Sequence, residues 1–273
     1  MTNSAAATLD AIAGCRDRID QMCAPLDQAR WHQPTALPAW DVQDVVAHLG
    51  SLEAMLLGWE EPAHQAATTA HVRNPLGALN EGLVDRRRSW SGAQVLDEFR
   101  DTTARRLADL RALDEVALDH EVLAPSGRMV PLRDFLGIRV WDYFVHEMDI
   151  TDALGLAPPL ATTAATRVLD EMLLLLPRAA AKAGAPDGTF VRLDLTEPVP
   201  RSVAAGVDGG RGALVDPSAA GEAALQLRAS PAAFLRVGTG RRAGADAINA
   251  GEIEVGGDSE LAARVLARLN VVP

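Results

Sequence analysis

A stripe of polar residues within an otherwise apolar stretch of the sequence has the composition of a metal site. Its members advance by 4, 3, 4, 3 and 4 positions, which places them on one face of a helix: Phe135, Arg139, Asp142, His146, Asp149 and Ala153. Apolar side chains such as Trp141 and Phe144 occupy the neighbouring faces, so we expect the stripe to be buried. Buried ionisable groups need a partner or a metal ion. The i, i+4 pair of Asp142 and His146 is close enough to chelate one ion.

A third candidate ligand, His48, lies on the apolar face of another predicted helix, beside Val45 and Leu49. Alone, such a histidine is more often a core residue than a ligand. With Asp142 and His146 it would form a set of two imidazoles and one carboxylate. That set is typical of catalytic metal sites because it leaves coordination positions open for water or substrate. The alternative interpretation of the same spacing is a buried Asp–His hydrogen bond without a metal.

The elements that must position these residues are helices over the first two-thirds of the chain. Apolar spacing and N-cap residues predict one helix over about 5–30, kinked at Pro25, others that begin at Asp41 and Ser91, and two more over Leu132 to Leu154 and about Thr162 to Leu176. Residues 61–90 show no clear pattern, because prolines and a glycine interrupt them.

The pattern of apolar and polar residues changes in the last third of the chain. Val191 to Leu195 and Ala224 to Arg228 alternate between apolar and polar residues, which predicts half-buried strands, and Asp258 is placed to cap a final amphipathic helix. We therefore predict the α+β fold class, with a metal-binding helical bundle over 1–184 and a small α+β domain over 185–273.

Composition excludes several classes of function. The 273 residues include 26 basic and 37 acidic side chains, a net charge of −11, which disfavours binding to nucleic acid. The longest apolar block, Met172 to Leu176, is far shorter than the roughly 20 residues of a membrane span.

Cys15 and Cys23 are eight positions apart on one predicted helix, too far for a disulfide, and are interpreted as inert thiols of a reducing compartment. We expect a cytoplasmic monomer or homodimer.

Two segments of the chain resemble the motifs of the actinobacterial mycothiol-dependent maleylpyruvate isomerase family. They are the residues from Trp40 to Leu49 (WDVQDVVAHL) and from Asp142 to Ile150 (DYFVHEMDI). The tail from Leu225 to Asp258 resembles the C-terminal domain of the same family. The resemblance implies a DinB-like four-helix bundle followed by a domain similar to sterol-carrier folds. It also implies that the metal ligands are His48, Asp142 and His146, with Asp142 standing where relatives usually have Glu.

The resemblance further implies a divalent-metal, mycothiol-dependent isomerase or S-transferase. The metal, which we take to be Zn²⁺, would activate the cofactor thiol to attack a small electrophilic, maleylpyruvate-like substrate. Asp149 would orient a ligand imidazole or hold the cofactor, and Arg139 would meet charged groups of the cofactor. Arg241 would bind the cofactor in an interdomain cleft, or is a surface loop residue. A non-catalytic metal-containing protein that binds a small apolar ligand, and a metal-dependent hydrolase, remain the alternatives.

Overall fold

Long helices form most of the first unit of the computed structural model, which describes residues 4–60, 64, 66–67, 69–218 and 223–270. This unit covers Met1–Pro158. Its helices are α1 (Ala5–Cys23), α2 (Gln28–Trp31), α3 (Val42–Leu56), α4 (Pro75–Asp85), α5 (Gly92–Arg111), α6 (Glu115–Leu118) and α7 (Leu132–Ala153). Between α6 and α7 lies an antiparallel pair of short strands, β1 (Glu121–Leu123) and β2 (Met129–Pro131).

Local side-chain chemistry determines where α3 and α5 begin. The carboxylate of Asp41 accepts from the backbone N–H of Asp44 at 2.9 Å, and the Asp44 carboxylate accepts from the N–H of Asp41 at 3.3 Å. Ser91 and Gln94 form the same reciprocal box at the start of α5. Each box satisfies backbone donors that the first turn of a helix leaves unpaired. Both predicted helix starts, at Asp41 and at Ser91, are confirmed.

The four longest helices, α1, α3, α5 and α7, pack as neighbours. Helix α3 contacts α5 and α7, and α1 contacts the same two helices. The approach of α3 to α5 is close at Gly50, where an added Cβ would lie only 3.1 Å from the Cα of Phe99. Because α3 packs beside α7, the two sequence motifs that resemble the isomerase family come to lie next to each other.

The second unit, Pro159–Pro273, is a mixed sheet with helices. Its strands are β3 (Thr189–Leu195), β4 (Arg201–Asp208), β5 (Arg211–Val215), β6 (Leu225–Ala229) and β7 (Ile253–Gly257), in the order β5-β4-β3-β6-β7. Only the β3–β6 pair is parallel among the described strands of this sheet. Its helices are α8 (Thr163–Leu173), α9 (Leu176–Lys182), α10 (Pro231–Gly238), α11 (Gly244–Asn249) and α12 (Ser259–Leu269). The predicted α+β fold class is confirmed.

Three expectations about boundaries differ from the structure. The predicted helix over 5–30 stops at Cys23 and resumes as α2, because Pro25 has no N–H to continue the ladder. The predicted helix over about Thr162 to Leu176 ends at Leu173, and a separate helix, α9, begins at Leu176. The two units divide after Pro158 rather than after 184, since α9 packs on β4 and β5 and α8 contacts α10. None of the helices in the described part of the chain is long and apolar enough to cross a membrane.

Candidate metal centre

Helices α3 and α7 bring His48, Asp142 and His146 together. One ligand atom from each residue lies within 4.8 Å of the other two. The Nε2 atom of His48 is 3.6 Å from Oδ2 of Asp142, and Nε2 of His146 is 3.5 Å from Oδ1 of the same carboxylate. These distances are too long for hydrogen bonds of normal strength. The three donors therefore converge on a common point without satisfying one another, as ligands of one ion do.

The surroundings of His48 favour a ligand over a core histidine. The residue is 2% exposed, and its Nδ1 atom has no hydrogen-bond partner within the described residues. A buried imidazole normally has both nitrogens satisfied, because an unpaired polar group costs free energy in the interior. The alternative interpretation, a buried Asp142–His146 hydrogen bond without a metal, fits poorly, because Nε2 of His146 is 3.5 Å from Oδ1 of Asp142. The donor set fits a divalent cation such as Zn²⁺.

A second carboxylate holds the other candidate imidazole. The Oδ2 atom of Asp149, a residue that is 2% exposed, lies 3.0 Å from Nδ1 of His146. An ionised Asp149 requires the proton of the neutral ring to be on Nδ1, which leaves the lone pair of Nε2 directed toward the cluster. Carboxylates that fix a ligand imidazole in this way are common around bound metals. The contact supports the predicted role of Asp149 in orienting an imidazole.

The two predicted functional arginines are placed differently from the ligands. All three side-chain nitrogens of Arg139 donate hydrogen bonds to carboxylates of the protein, those of Glu53 and Asp142. Arg241 belongs to the second unit, where its Nη1 donates to the carbonyl oxygen of Thr239 at 2.8 Å. Its role in holding a cofactor stays a prediction.

Sequence reasoning missed two residues that line this cluster. The ring of Trp40 lies 5.3 Å from the ring of His48 and 6.3 Å from that of His146, measured between centroids. Its Nε1–H donates to Glu81 on α4 at 2.9 Å, which holds the indole in place. The second residue, Glu53, accepts hydrogen bonds from Arg139, which also donates to Asp142. A signal for Glu53 was present in the sequence, because it is an acid near the end of a helix that is otherwise largely apolar.

Burial and charge shift the ionisation of the three candidate ligands. Burial lowers the pKa of His48, which keeps its ring neutral. Burial opposes ionisation of Asp142, but Arg139 and the two imidazoles outweigh it and hold its pKa well below the usual range. For His146, burial lowers the pKa, and contacts with Asp142 and Asp149 more than offset this, so the pKa is raised. Of the three candidate ligands, His146 is thus the one whose proton competes most with a metal ion.

We expect metal affinity to rise with pH near neutrality. The protonated His146 ring stabilises the metal-free protein below the ordinary histidine pKa of about 6.5, and this contribution is lost as the pH rises through the raised pKa. Competition between Zn²⁺ and a chelator should therefore give a lower affinity at pH 6 than at pH 7. The change should be smaller in Asp149→Asn, which lacks a carboxylate that raises this pKa. Equal affinities at both pH values in the parent protein would contradict the assignment.

Comparison with known families agrees with this geometry. Residues 12–151 match the sequence model of the mycothiol maleylpyruvate isomerase N-terminal domain, and residues 160–264 match that of the C-terminal domain of the same family. The chain belongs to the mycothiol maleylpyruvate isomerase family. The family resemblance predicted from the motifs is confirmed, and all three candidate ligands fall within the region matched by the N-terminal domain.

Four proteins that resemble this chain are each less than 30% identical to it over the matched residues. Two uncharacterised Mycobacterium tuberculosis proteins, from strains CDC 1551 and H37Rv, are each 27% identical over 145 residues, which is 52% of this chain and 54% of theirs. The match thus spans about half the length of these relatives. A crystal structure of the mycothiol-dependent maleylpyruvate isomerase is 18% identical, with a TM-score of 0.58, over 88% of this chain and 90% of that chain. A histidine-to-alanine mutant of that enzyme gives a TM-score of 0.60 at 18% identity, over 93% of both chains. These two structures show that the fold is shared.

Proposed function

We propose that this chain is a divalent-metal, mycothiol-dependent isomerase or S-transferase that acts on a small electrophilic, maleylpyruvate-like substrate. The observation that carries the proposal is the convergence of His48, Asp142 and His146 within a domain of the isomerase family. Two imidazoles and one carboxylate are a catalytic ligand set, since structural zinc sites usually have four protein ligands.

Each residue of this centre has a separate proposed role. His48 and His146 supply neutral nitrogen donors, Asp142 supplies one negative charge, and Asp149 holds the ring of His146 in the required tautomer. A bound Zn²⁺ ion would lower the pKa of a thiol ligand, so that thiolate is available at neutral pH. The indole of Trp40 forms an apolar wall beside both imidazoles and restricts the access of water.

The thiol must come from outside the protein. Cys15 and Cys23 are both fully buried, and burial raises the pKa of each thiol, that of Cys23 to about 12. Thiols of this kind do not supply thiolate at neutral pH. Neither cysteine belongs to the candidate metal cluster found among the described residues. A small thiol cofactor, which the family name identifies as mycothiol, is therefore the proposed nucleophile.

Calorimetric titration tests the proposal directly. Mycothiol and an S-methylated analogue would be titrated into zinc-loaded and metal-free protein, with the isomerisation of maleylpyruvate followed in parallel. We expect binding only when the metal and a free thiol are both present, because sulfur would be a ligand of the ion. Equal binding of the methylated analogue would indicate recognition without activation. Absence of binding, together with metal-dependent ester or amide hydrolysis, would favour the hydrolase.

A further inference from the structure

A buried layer of charge lies directly behind the candidate ligand Asp142. Arg139, one helical turn before Asp142 on α7, donates from Nη1 to Oδ2 of that carboxylate. Its other two nitrogens donate to Oε1 of Glu53 on α3, from Nη2 at 2.7 Å and from Nε at 3.2 Å. The hydroxyl group of Tyr143 donates to the same oxygen of Glu53 at 3.1 Å. One guanidinium thus joins a carboxylate of α3 to the candidate metal ligand of α7.

This layer is costly for a protein interior. The side chains of Arg139 and Glu53 are each 5% exposed, and burial of an ion pair takes both charges out of water. The guanidinium of Arg139 stays charged, as arginine does in proteins, and its counter-charges here are the carboxylates of Glu53 and Asp142. Apolar residues of similar volume would stabilise the bundle equally well in many such cases. The arrangement therefore calls for a role beyond packing.

We propose that Arg139 and Glu53 are positioning residues that set the orientation of Asp142 as a metal ligand, an inference that rests on the proposed function. The side chain of Asp142 is 26% exposed, more than those of the two imidazoles, and its bond to Arg139 restricts its rotation. The other carboxylate oxygen of Asp142, Oδ1, then faces His146. Glu53 neutralises the guanidinium, whose positive charge would otherwise repel a divalent cation nearby.

The Glu53→Gln variant tests this role, because it keeps the shape of the side chain and removes its charge. Asp142 is then the one carboxylate that still pairs with Arg139 among the described residues, so more positive charge is left near the ion. The Kd for Zn²⁺ should therefore rise by about 10- to 100-fold, the usual range for changes in residues that support ligands. The visible spectrum of bound Co²⁺ should also shift, since it reports the geometry of the ligands. A purely structural ion pair would change neither property.

Glu98→Gln is the matched control. Glu98 pairs with Arg87 through two contacts of 2.5 and 2.6 Å, and the Arg87 side chain is 2% exposed, so this is a second interior Arg–Glu pair of the bundle. Neither Arg87 nor Glu98 belongs to the candidate ligand cluster. Both glutamine variants should lower the Tm, but Glu98→Gln should leave the Kd for Zn²⁺ within about twofold of the parent value.

Arg139→Lys provides a second variant if Glu53→Gln does not fold. Lysine keeps the charge but lacks the planar fork that reaches both carboxylates, so it should also weaken Zn²⁺ binding and alter the Co²⁺ spectrum. Parent-like Kd values and spectra in the folded variants would overturn the proposed role of Arg139 and Glu53 while leaving the metal site intact. Failure of the parent protein itself to bind Zn²⁺ or Co²⁺ would instead overturn the metal site, and the positioning role with it.

Discussion

Replacement of His48 by alanine should abolish stoichiometric metal binding while the protein stays folded. His48 is the only one of the three candidate ligands on α3, so the variant leaves Asp142 and His146 as an i, i+4 pair on one helix. Two ligands hold a catalytic ion poorly, and we expect the affinity for Zn²⁺ to fall by at least about 100-fold. Elemental analysis of protein purified without a chelator or histidine tag, followed by calorimetry, measures this change.

His64→Ala is a suitable control for that experiment. Nε2 of His64 lies 2.8 Å from Oδ2 of Asp85, and both side chains are about one-third exposed, at 36% and 30%. It is thus another His–carboxylate pair, but it lies outside the candidate cluster, and its loss should leave zinc binding unchanged. Metal occupancy near one equivalent in His48→Ala would show that His48 is a core residue. Less than about a tenth of an equivalent in the parent after addition of Zn²⁺ would contradict the three-ligand site as a whole.

Arg87→Met should cause a large loss of stability without loss of metal binding. The guanidinium is buried, donates to Glu98 and to the carbonyl oxygen of Leu83 at 2.9 Å, and lies 5.4 Å from the ring centroid of Trp90. Its removal leaves the Glu98 carboxylate largely buried without this partner. Breaking such a pair costs about 3–5 kcal/mol, which urea unfolding of the parent and variant can measure.

Two comparisons separate this effect from a general loss of charge. Arg111 pairs with Asp10 at 2.9 Å between α5 and α1, but the two side chains are 51% and 72% exposed, so Arg111→Met should cost no more than about 1 kcal/mol. In the double variant Arg87→Met/Glu98→Leu, apolar contacts replace both charges and should recover much of the stability. A loss below about 1 kcal/mol in Arg87→Met would show that solvent reaches the pair in solution.

Most features of the fold that were predicted correctly depend on local signals in the sequence. The helix starts at Asp41 and Ser91 and the helix from Leu132 were predicted well, since the signals that determine them act within one or two turns of the chain. Helix α4 was not predicted, although Asn74 caps it and Pro75 occupies its first turn. The division after Pro158 also escaped prediction, because it depends on which sheet α8 and α9 pack with, not on their own periodicity.

For the candidate site, the sequence by itself determined which residues could be ligands. A 4-3 spacing places Asp142, His146 and Asp149 on one face of α7, and the apolar neighbours of His48 determine that its ring is buried. These are properties of a single helix, so they can be derived from periodicity. The family likeness of the two motifs added the expectation that α3 and α7 would be partners.

Only the tertiary structure decided what surrounds those ligands. That Arg139 bridges Glu53 and Asp142 depends on the rotation and separation of α3 and α7. The position of Trp40 against both imidazoles likewise depends on a hydrogen bond to Glu81, 41 residues further along the chain. Helical periodicity determines the face on which a side chain lies but not the group that meets it. That group is determined by packing between helices, to which many residues contribute at once.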